Sequence, residues 1–440
     1  MSDATSMAED FASGRSDPVQ VLEQALEKAS QVPAVFISLT AERARREAEA
    51  AAARWRAGQP LSVFDGVPLA WKDLFDVAGS ITTAGAAYRR NAPAALLDAP
   101  TVGLLCRAGM VSVGKTNLSE LAYSGLGLNP HFGTPHNPHG TDQPRIPGGS
   151  SSGSAVAVAA AIVPIAMGTD TAGSIRIPSA FNGLVGYRSS SRRYSRDGVF
   201  PLAHTLDSLG PLTRSVRDAL AIDDLLHGRR QTHIARSLKG QRFVLAQQDV
   251  EPAVRNNLLR AVEQLKAHGA LIEERECPTF QATLDLIKHH GWLGSFEAFA
   301  LHEALLDSPD AEQLDPRVRR RLEAARALPA SQLLHLFDAR RRLQQQLMAD
   351  LDGALLITPT IAHVAPALAP LEADDELFVK TNLATLRLTM PGSLLDMPGV
   401  SLPSGRDALG LPTGLLLSAP TGEDARLLGA ALAVESVLTR

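Results

Sequence analysis

Two serine-bearing loops lie close together in the chain. Residues 148–153 read Gly-Gly-Ser-Ser-Ser-Gly and supply Ser150, Ser151 and Ser152, and residues 170–174 read Asp170-Thr171-Ala172-Gly173-Ser174. In the second run the side chains are small, so consecutive backbone N–H groups can converge on one oxygen. That is how negative charge is stabilised when a carbonyl is attacked. The chemistry such a pair of loops fits is acyl transfer. Between the loops, Ala155 to Ile165 is apolar apart from Pro164 and is expected to be a buried helix or strand that holds both loops rigidly.

Two further patterns compete for the same chemistry. Gly109-Met110-Val111-Ser112-Val113-Gly114-Lys115-Thr116 fits the phosphate-loop pattern GxxxxGK[ST] letter for letter. A phosphate loop must keep its middle residues open so that their amides face phosphate, whereas Met-Val-Ser-Val is strand-forming and follows a helical run. An ATP-binding protein is therefore the weaker reading. Gly149-Ser150-Ser151-Ser152-Gly153 fits the GxSxG nucleophile elbow with Ser151 as nucleophile. An elbow follows a central strand, yet Gln143-Pro144-Arg145-Ile146-Pro147 carries two prolines, and that reading leaves Ser174 without a role.

The elements around the loops alternate between helix and strand. Residues 17–58 read as helices, the first opened by Asp17-Pro18 and the second capped by Thr40. Val67 to Trp71 reads as a short strand with Lys72 at its end. A helix from Pro100 is followed by a strand over Met110 to Gly114. From about Leu226 to Leu351 the chain reads as charged amphipathic helices, a substrate-side region. It returns to strand at Ala354–Pro359 and Gly399–Pro403 and closes on a helix from Glu423. Such alternation predicts a mixed sheet covered by helices.

Composition narrows the class. The 440 residues are 45% hydrophobic and 20% charged with a net charge of −4, an ordinary globular balance without the basic excess of nucleic-acid binders. Cys106 and Cys277 are too few and too far apart for a disulfide scaffold or a CxxC metal site. With no basic-apolar leader and no long apolar span, a cytoplasmic location is expected.

GGSSSGSAVAVAAAIVPIAMGTDTAGSIRIPSAFNGLVGYR, together with GVPLAWKDLFDVAG, GKTNLSELAYSGLGLNPHFGTPHNP and MPGVSLPSG, resembles the amidase signature enzymes. The resemblance covers most of the chain and is strongest from Gly66 to Leu212. It implies an α/β fold with a large mixed sheet covered by helices on both faces. It implies one amidase domain over 1–440, with N-terminal helices (1–60), a catalytic core (66–215), a helical substrate-side region (226–351) and a C-terminal part that rejoins the core (354–440). It also implies a Ser-cisSer-Lys triad of Ser174 as nucleophile, Ser150 on a cis peptide bond and Lys72 as base, with Thr171, Ala172, Gly173 and Ser174 as oxyanion hole. Many relatives have glycine at Ala172, and alanine suits the same geometry if its φ is negative. Lys72 must then be neutral, which burial beside Leu69 and Trp71 would favour.

Other residues take supporting parts. Asp170 and Arg176 are expected to brace the loops, Ser124 to sit on the substrate side, and Ser151 to hold Lys72 or Ser150. His131, His136, His204, His289 and His290 lack metal-ligand spacing, and Arg340-Arg341-Arg342 reads as a solvated helix face. One arginine of that region could bind a substrate carboxylate, as in relatives that act on glutamine. The pocket is expected near Tyr123 and Met390. The expected activity is cofactor-free and metal-free cleavage of a small-molecule amide, releasing ammonia or an amine, with no nucleic-acid or membrane partner and a homodimer left open. The alternative is the glutaminase component of a tRNA-dependent amidotransferase.

Overall fold

In the computed structural model, which describes residues 3–140, 142–228 and 237–438, eleven strands form one sheet. In chain order they are β1 (Phe36–Leu39), β2 (Pro68–Lys72), β3 (Val111–Thr116), β4 (Ile165–Asp170), β5 (Val185–Arg188) and β6 (Ser208–Thr213). β7 (Arg242–Leu245), β8 (Leu271–Glu274), β9 (Leu355–Pro359), β10 (Gly399–Arg406) and β11 (Pro412–Ser418) follow. The spatial order is β1-β3-β2-β4-β6-β5-β10-β11-β9-β7-β8. β2 lies parallel to both β3 and β4, and β7 lies parallel to both β8 and β9; the remaining pairs are antiparallel, so the sheet is mixed.

Strand alternation builds a core on each face. Leu69 and Trp71 of β2 join Met167 of β4, Ile357 of β9 and Leu417 of β11 in one cluster that runs the length of the sheet. Ala70 and Ala166 point the other way and pack on Ala155–Val158 and the N-terminal helix residues Leu22, Leu26, Ala44 and Ala48. Val244 and Leu356 extend that second face toward Leu336, Leu343 and Leu347. The result is the expected helix–sheet–helix sandwich.

Several local expectations change. Ala155 to Ile165 is neither one helix nor one strand: a helix spans Ser152–Ala159, and β4 starts at Ile165, just after Pro164, which cannot donate to a ladder. Residues 17–58 contain a strand between their helices, Phe36–Leu39, too short for its pattern to stand out. Thr40 makes no side-chain cap; its hydroxyl donates to Ser112 O at 2.7 Å. The region 226–351, of which residues 229–236 lie outside the described residues, is not wholly helical. β7 and β8 add two strands to the sheet, and β8 reads Leu-Ile-Glu-Glu with no buried residue to betray it. Arg340 is not on a solvated face. Helical spacing aligns it with Leu336, Leu343 and Leu347, and its guanidinium donates to Leu394 O at 2.6 Å and Thr205 O at 3.1 Å, while Arg341 and Arg342 are exposed.

Candidate active site

β2, flanked by β3 and β4, ends at Lys72, which brings the lysine to the carboxyl edge of three parallel strands where α/β sheets open their clefts. Its amine is fully buried and lies 2.7 Å from Ser150 Oγ and 2.8 Å from Thr169 Oγ1. The burial does not come from Leu69 and Trp71. Alternation along β2 sends both into the opposite core, so Lys72 shares its face with Ala70 and the helix Ser152–Ala159. Burial pushes the amine down to about 7, against the pull of the Asp170 and Asp207 charges.

The Gly149–Ser150 peptide is cis. A Cβ on Gly149 would come within 2.6 Å of Gly127 N and 2.8 Å of Ser119 Oγ, so only glycine lets the chain pass there. Ser150 O accepts from Ser119 N at 3.2 Å and Ser152 N at 2.9 Å, and Ser151 N donates to Ser174 O at 3.3 Å, tying the two serine loops together. Ser151 does not hold Lys72 or Ser150. Its hydroxyl donates to Thr169 O at 3.3 Å, and no strand precedes it within residues 143–149, so the elbow geometry is absent. Among the described residues no hydrogen bond joins Ser150 Oγ to Ser174 Oγ; the Ser174 hydroxyl has no protein partner, and the residue is 4% exposed.

The second loop is held by its side chains and carbonyls. Thr171 Oγ1 donates to Asp207 Oδ1 at 2.5 Å, and Thr389 Oγ1 donates to Ala172 O at 2.6 Å. Because a trans peptide sets C=O and N–H antiparallel, fixing the Ala172 carbonyl aims the Gly173 N–H the opposite way. The backbone N–H groups of Thr171, Ala172, Gly173 and Ser174 donate to no acceptor among the described residues. Ala172 takes no positive φ, whereas Gly173 sits at +141°, where a Cβ would collide with Thr389 Oγ1 and Ile177.

Asp170 ends β4 and accepts from Arg176 Nε and Nη2, both at 2.9 Å, and from Ile175 N at 3.2 Å, with Arg188 Nε 3.6 Å away. Burial pulls its carboxyl upward, but Arg176 and then Arg188 hold it down at about 2. Arg176 Nη2 also donates to Ser393 Oγ at 2.7 Å. Ser124 is buried and donates to Asn382 Oδ1 at 3.2 Å, beside Tyr123. Lys115 is inside β3 and lies 2.7 Å from Asp73 Oδ1, both side chains fully buried, so the phosphate-loop letters are spent on a strand and an internal ion pair. His131 Nε2 lies 2.9 Å from Glu120 Oε1, and His204 is exposed.

Thr169, Asp207 and Thr389 went unread in the sequence. Thr169 stands two residues before Thr171 and could have been found from the period of β4. The other two reach the site from distant segments.

The arrangement sets a buried amine bonded to a serine beside a loop of free amides, and comparison with known proteins gives the family. Residues 19–428 match the family model described as Amidase, and the chain belongs to that family. It is 33% identical to 2-amino-5-chloromuconic acid deaminase of Comamonas testosteroni, covering 90% of this chain and 87% of the relative. It is also 33% identical to the A-type subunit of glutamyl-tRNA(Gln) amidotransferase from Prochlorococcus marinus (strain MIT 9303), covering 91% and 89%. A crystal structure of an amidase superposes with TM-score 0.88 at 34% identity, covering 99% of this chain and all of that one. The 6-aminohexanoate cyclic dimer hydrolase superposes with TM-score 0.87 at 25% identity, covering 100% and 97%. The protein is an amidase, a hydrolase of C–N amide bonds. Among the described residues no helix is long and apolar enough to cross a membrane.

Proposed function

We propose that Ser174 attacks the amide carbonyl, that Ser150 carries its proton to neutral Lys72, and that the same path returns the proton to the leaving amine before water releases the acid from the acyl-enzyme. The free amides of Thr171, Ala172, Gly173 and Ser174 receive the oxyanion. Asp170 and Arg176 act as a brace, since Arg176 is bonded to Asp170 and to Ser393 Oγ, and Asp170 also accepts from Ile175 N. The observation that carries the reading is the 2.7 Å bond from buried Lys72 to Ser150, with an amine poised to be neutral near pH 7. Lys72→Ala, Ser150→Ala and Ser174→Ala should each abolish release of ammonia or amine from a panel of small amides. Near wild-type turnover in all three would remove the mechanism.

The substrate we infer is a small amide that also carries a carboxylate. Arg321 Nη1 donates to Tyr123 O, its guanidinium lies 4.1 Å from the centre of the Tyr123 ring, and no carboxylate pairs with it among the described residues. A guanidinium stacked on the Tyr123 ring is suited to a planar anion. The Comamonas testosteroni relative is named for an acid. Arg321→Ala should raise KM for carboxylated amides and leave that for uncharged amides unchanged.

Similarity to the A-type components of amidotransferases supports a second reading, a glutaminase that feeds ammonia to a partner. Co-purifying partner chains and glutamine-dependent ammonia release would favour it; activity of the isolated chain on simple amides would favour the first. We place the enzyme in the cytoplasm, working as one catalytic unit over the whole chain, in keeping with its two free cysteines.

A further inference from the structure

A neutral amine has two N–H donors and one lone pair, and Lys72 can act as a base only if that lone pair faces the Ser150 hydroxyl. Its second neighbour, Thr169 Oγ1 at 2.8 Å, must then accept a Lys72 N–H. A threonine hydroxyl can equally donate to an amine, which would occupy the lone pair and disarm the base. The direction of the Thr169 proton therefore decides whether Lys72 works. Among the described residues Thr169 Oγ1 has no hydrogen-bond partner except Lys72, so its proton needs an acceptor outside the protein.

The structure provides the space for one. A cavity of about 510 Å³ has Thr169, Asp207 and Leu209 in its lining together with Arg196, Asp197 and His204, and neither Ser150 nor Ser174 lines it. Thr169 and Asp207 are buried, while Asp197 and His204 are exposed, so the cavity runs from solvent inward to Thr169. It is polar and large enough for several waters. Asp207 accepts from Leu202 N at 2.9 Å, Ala203 N at 3.1 Å and Thr171 Oγ1, and so adds negative potential without pairing with Thr169.

We propose that Thr169 is a positioning residue that aims the Lys72 lone pair at Ser150, and that the cavity beyond it is a water port through which Lys72 exchanges protons with solvent while substrate covers Ser174. The inference rests on Lys72 being the base. When the amine is charged, a Lys72 N–H bond breaks, its proton passes to Thr169 Oγ1, and the proton already on Thr169 passes to water in the cavity. The charged and titratable groups that bear on this step are Asp170 and Asp207 beside the amine, and Arg192, Tyr194, Arg196, Asp197 and His204 around the port. An enzyme–substrate complex formed with charged Lys72 is thereby rescued without release of substrate.

Thr169→Val keeps the shape and removes the hydroxyl, and Thr169→Ser keeps the hydroxyl. We expect Thr169→Val to lower kcat by about tenfold or more with KM unchanged, and Thr169→Ser to restore it to within about threefold. Val199→Trp narrows the port without touching Thr169. It should lower kcat several-fold at about pH 6, where Lys72 is mostly charged, and leave kcat unaltered at about pH 9, where exchange is not needed. Wild-type kcat in Thr169→Val, no restoration by Thr169→Ser, or a Val199→Trp effect that is uniform in pH or confined to KM would overturn the proposal. Lys72→Ala separates the two levels. If it stays active, the base assignment fails; if it is dead while Thr169→Val is unimpaired, only the port fails.

Discussion

The two serine loops have similar compositions and opposite bonding. In the first, Gly149 N donates to Gly125 O at 2.8 Å, Ser151 N to Ser174 O and Ser152 N to Ser150 O, and Ser150, Ser151 and Ser152 are fully buried. In the second, four successive N–H groups find no acceptor among the described residues, while side chains from Asp207 and Thr389 grip the loop from outside. A buried amide left unpaired costs on the order of 1–3 kcal/mol, so a loop carrying several is a site kept ready for an acceptor. In the proposed mechanism the first loop, whose Gly149, Ser151, Ser152 and Gly153 amides are paired, moves protons, and the unpaired second loop binds charge. Ser150 and Ser174 sit in loops that are bonded differently although the letters around them look alike.

The sharpest way to break this contrast is in the second loop. Gly173→Ala forces a side chain onto a φ of +141° and into Thr389, and should lower kcat by about 10²–10³ and lower the melting temperature as well. Activity close to wild type would mean that the free amides are not the oxyanion site. The next largest effect is in pH. Below about 7 the Lys72 amine carries a proton and has no lone pair; above it the amine is neutral, so log kcat/KM should rise by about one per pH unit up to about 7 and then level off. A profile flat from about pH 5 to 8 would contradict the assignment of the base.

Thr389→Val releases the Ala172 carbonyl and should cost about tenfold in kcat, because the loop loses one fixing bond but keeps its amides. Ser151→Ala, in the first loop, should have the smallest effect. It removes one bond, to Thr169 O, at about 1 kcal/mol of unfolding free energy, with kcat within about threefold of wild type. A large loss of turnover in Ser151→Ala would revive the nucleophile elbow.

The difference between the loops also explains what could be read from the chain. Ser150, Thr171 to Ser174 and the strand-end Lys72 lie in short contiguous runs whose letters constrain their own backbone, and they were visible. Asp207 and Thr389 act on those runs from 30 or more residues away, and nothing local distinguishes Thr389 from any other threonine. The same holds for the fold. β2, β3, β9 and β10 announce themselves as apolar runs, whereas β1, β7 and β8 are four residues each, and β8 is nearly all exposed. Their pairing comes from the sheet rather than from their own pattern. Leu69 and Trp71 give the complementary lesson: sequence neighbours of Lys72, they lie across the sheet from its amine.

The central claim is that charge and acyl group both settle at Ser174 and not in the first loop. Labelling the full chain with a fluorophosphonate at pH 8 or so, where Lys72 is neutral, and mapping the modified peptide tests it in one step. The adduct is expected on Ser174, and its formation should be lost in Lys72→Ala. An adduct on Ser150 or Ser151 would contradict the account.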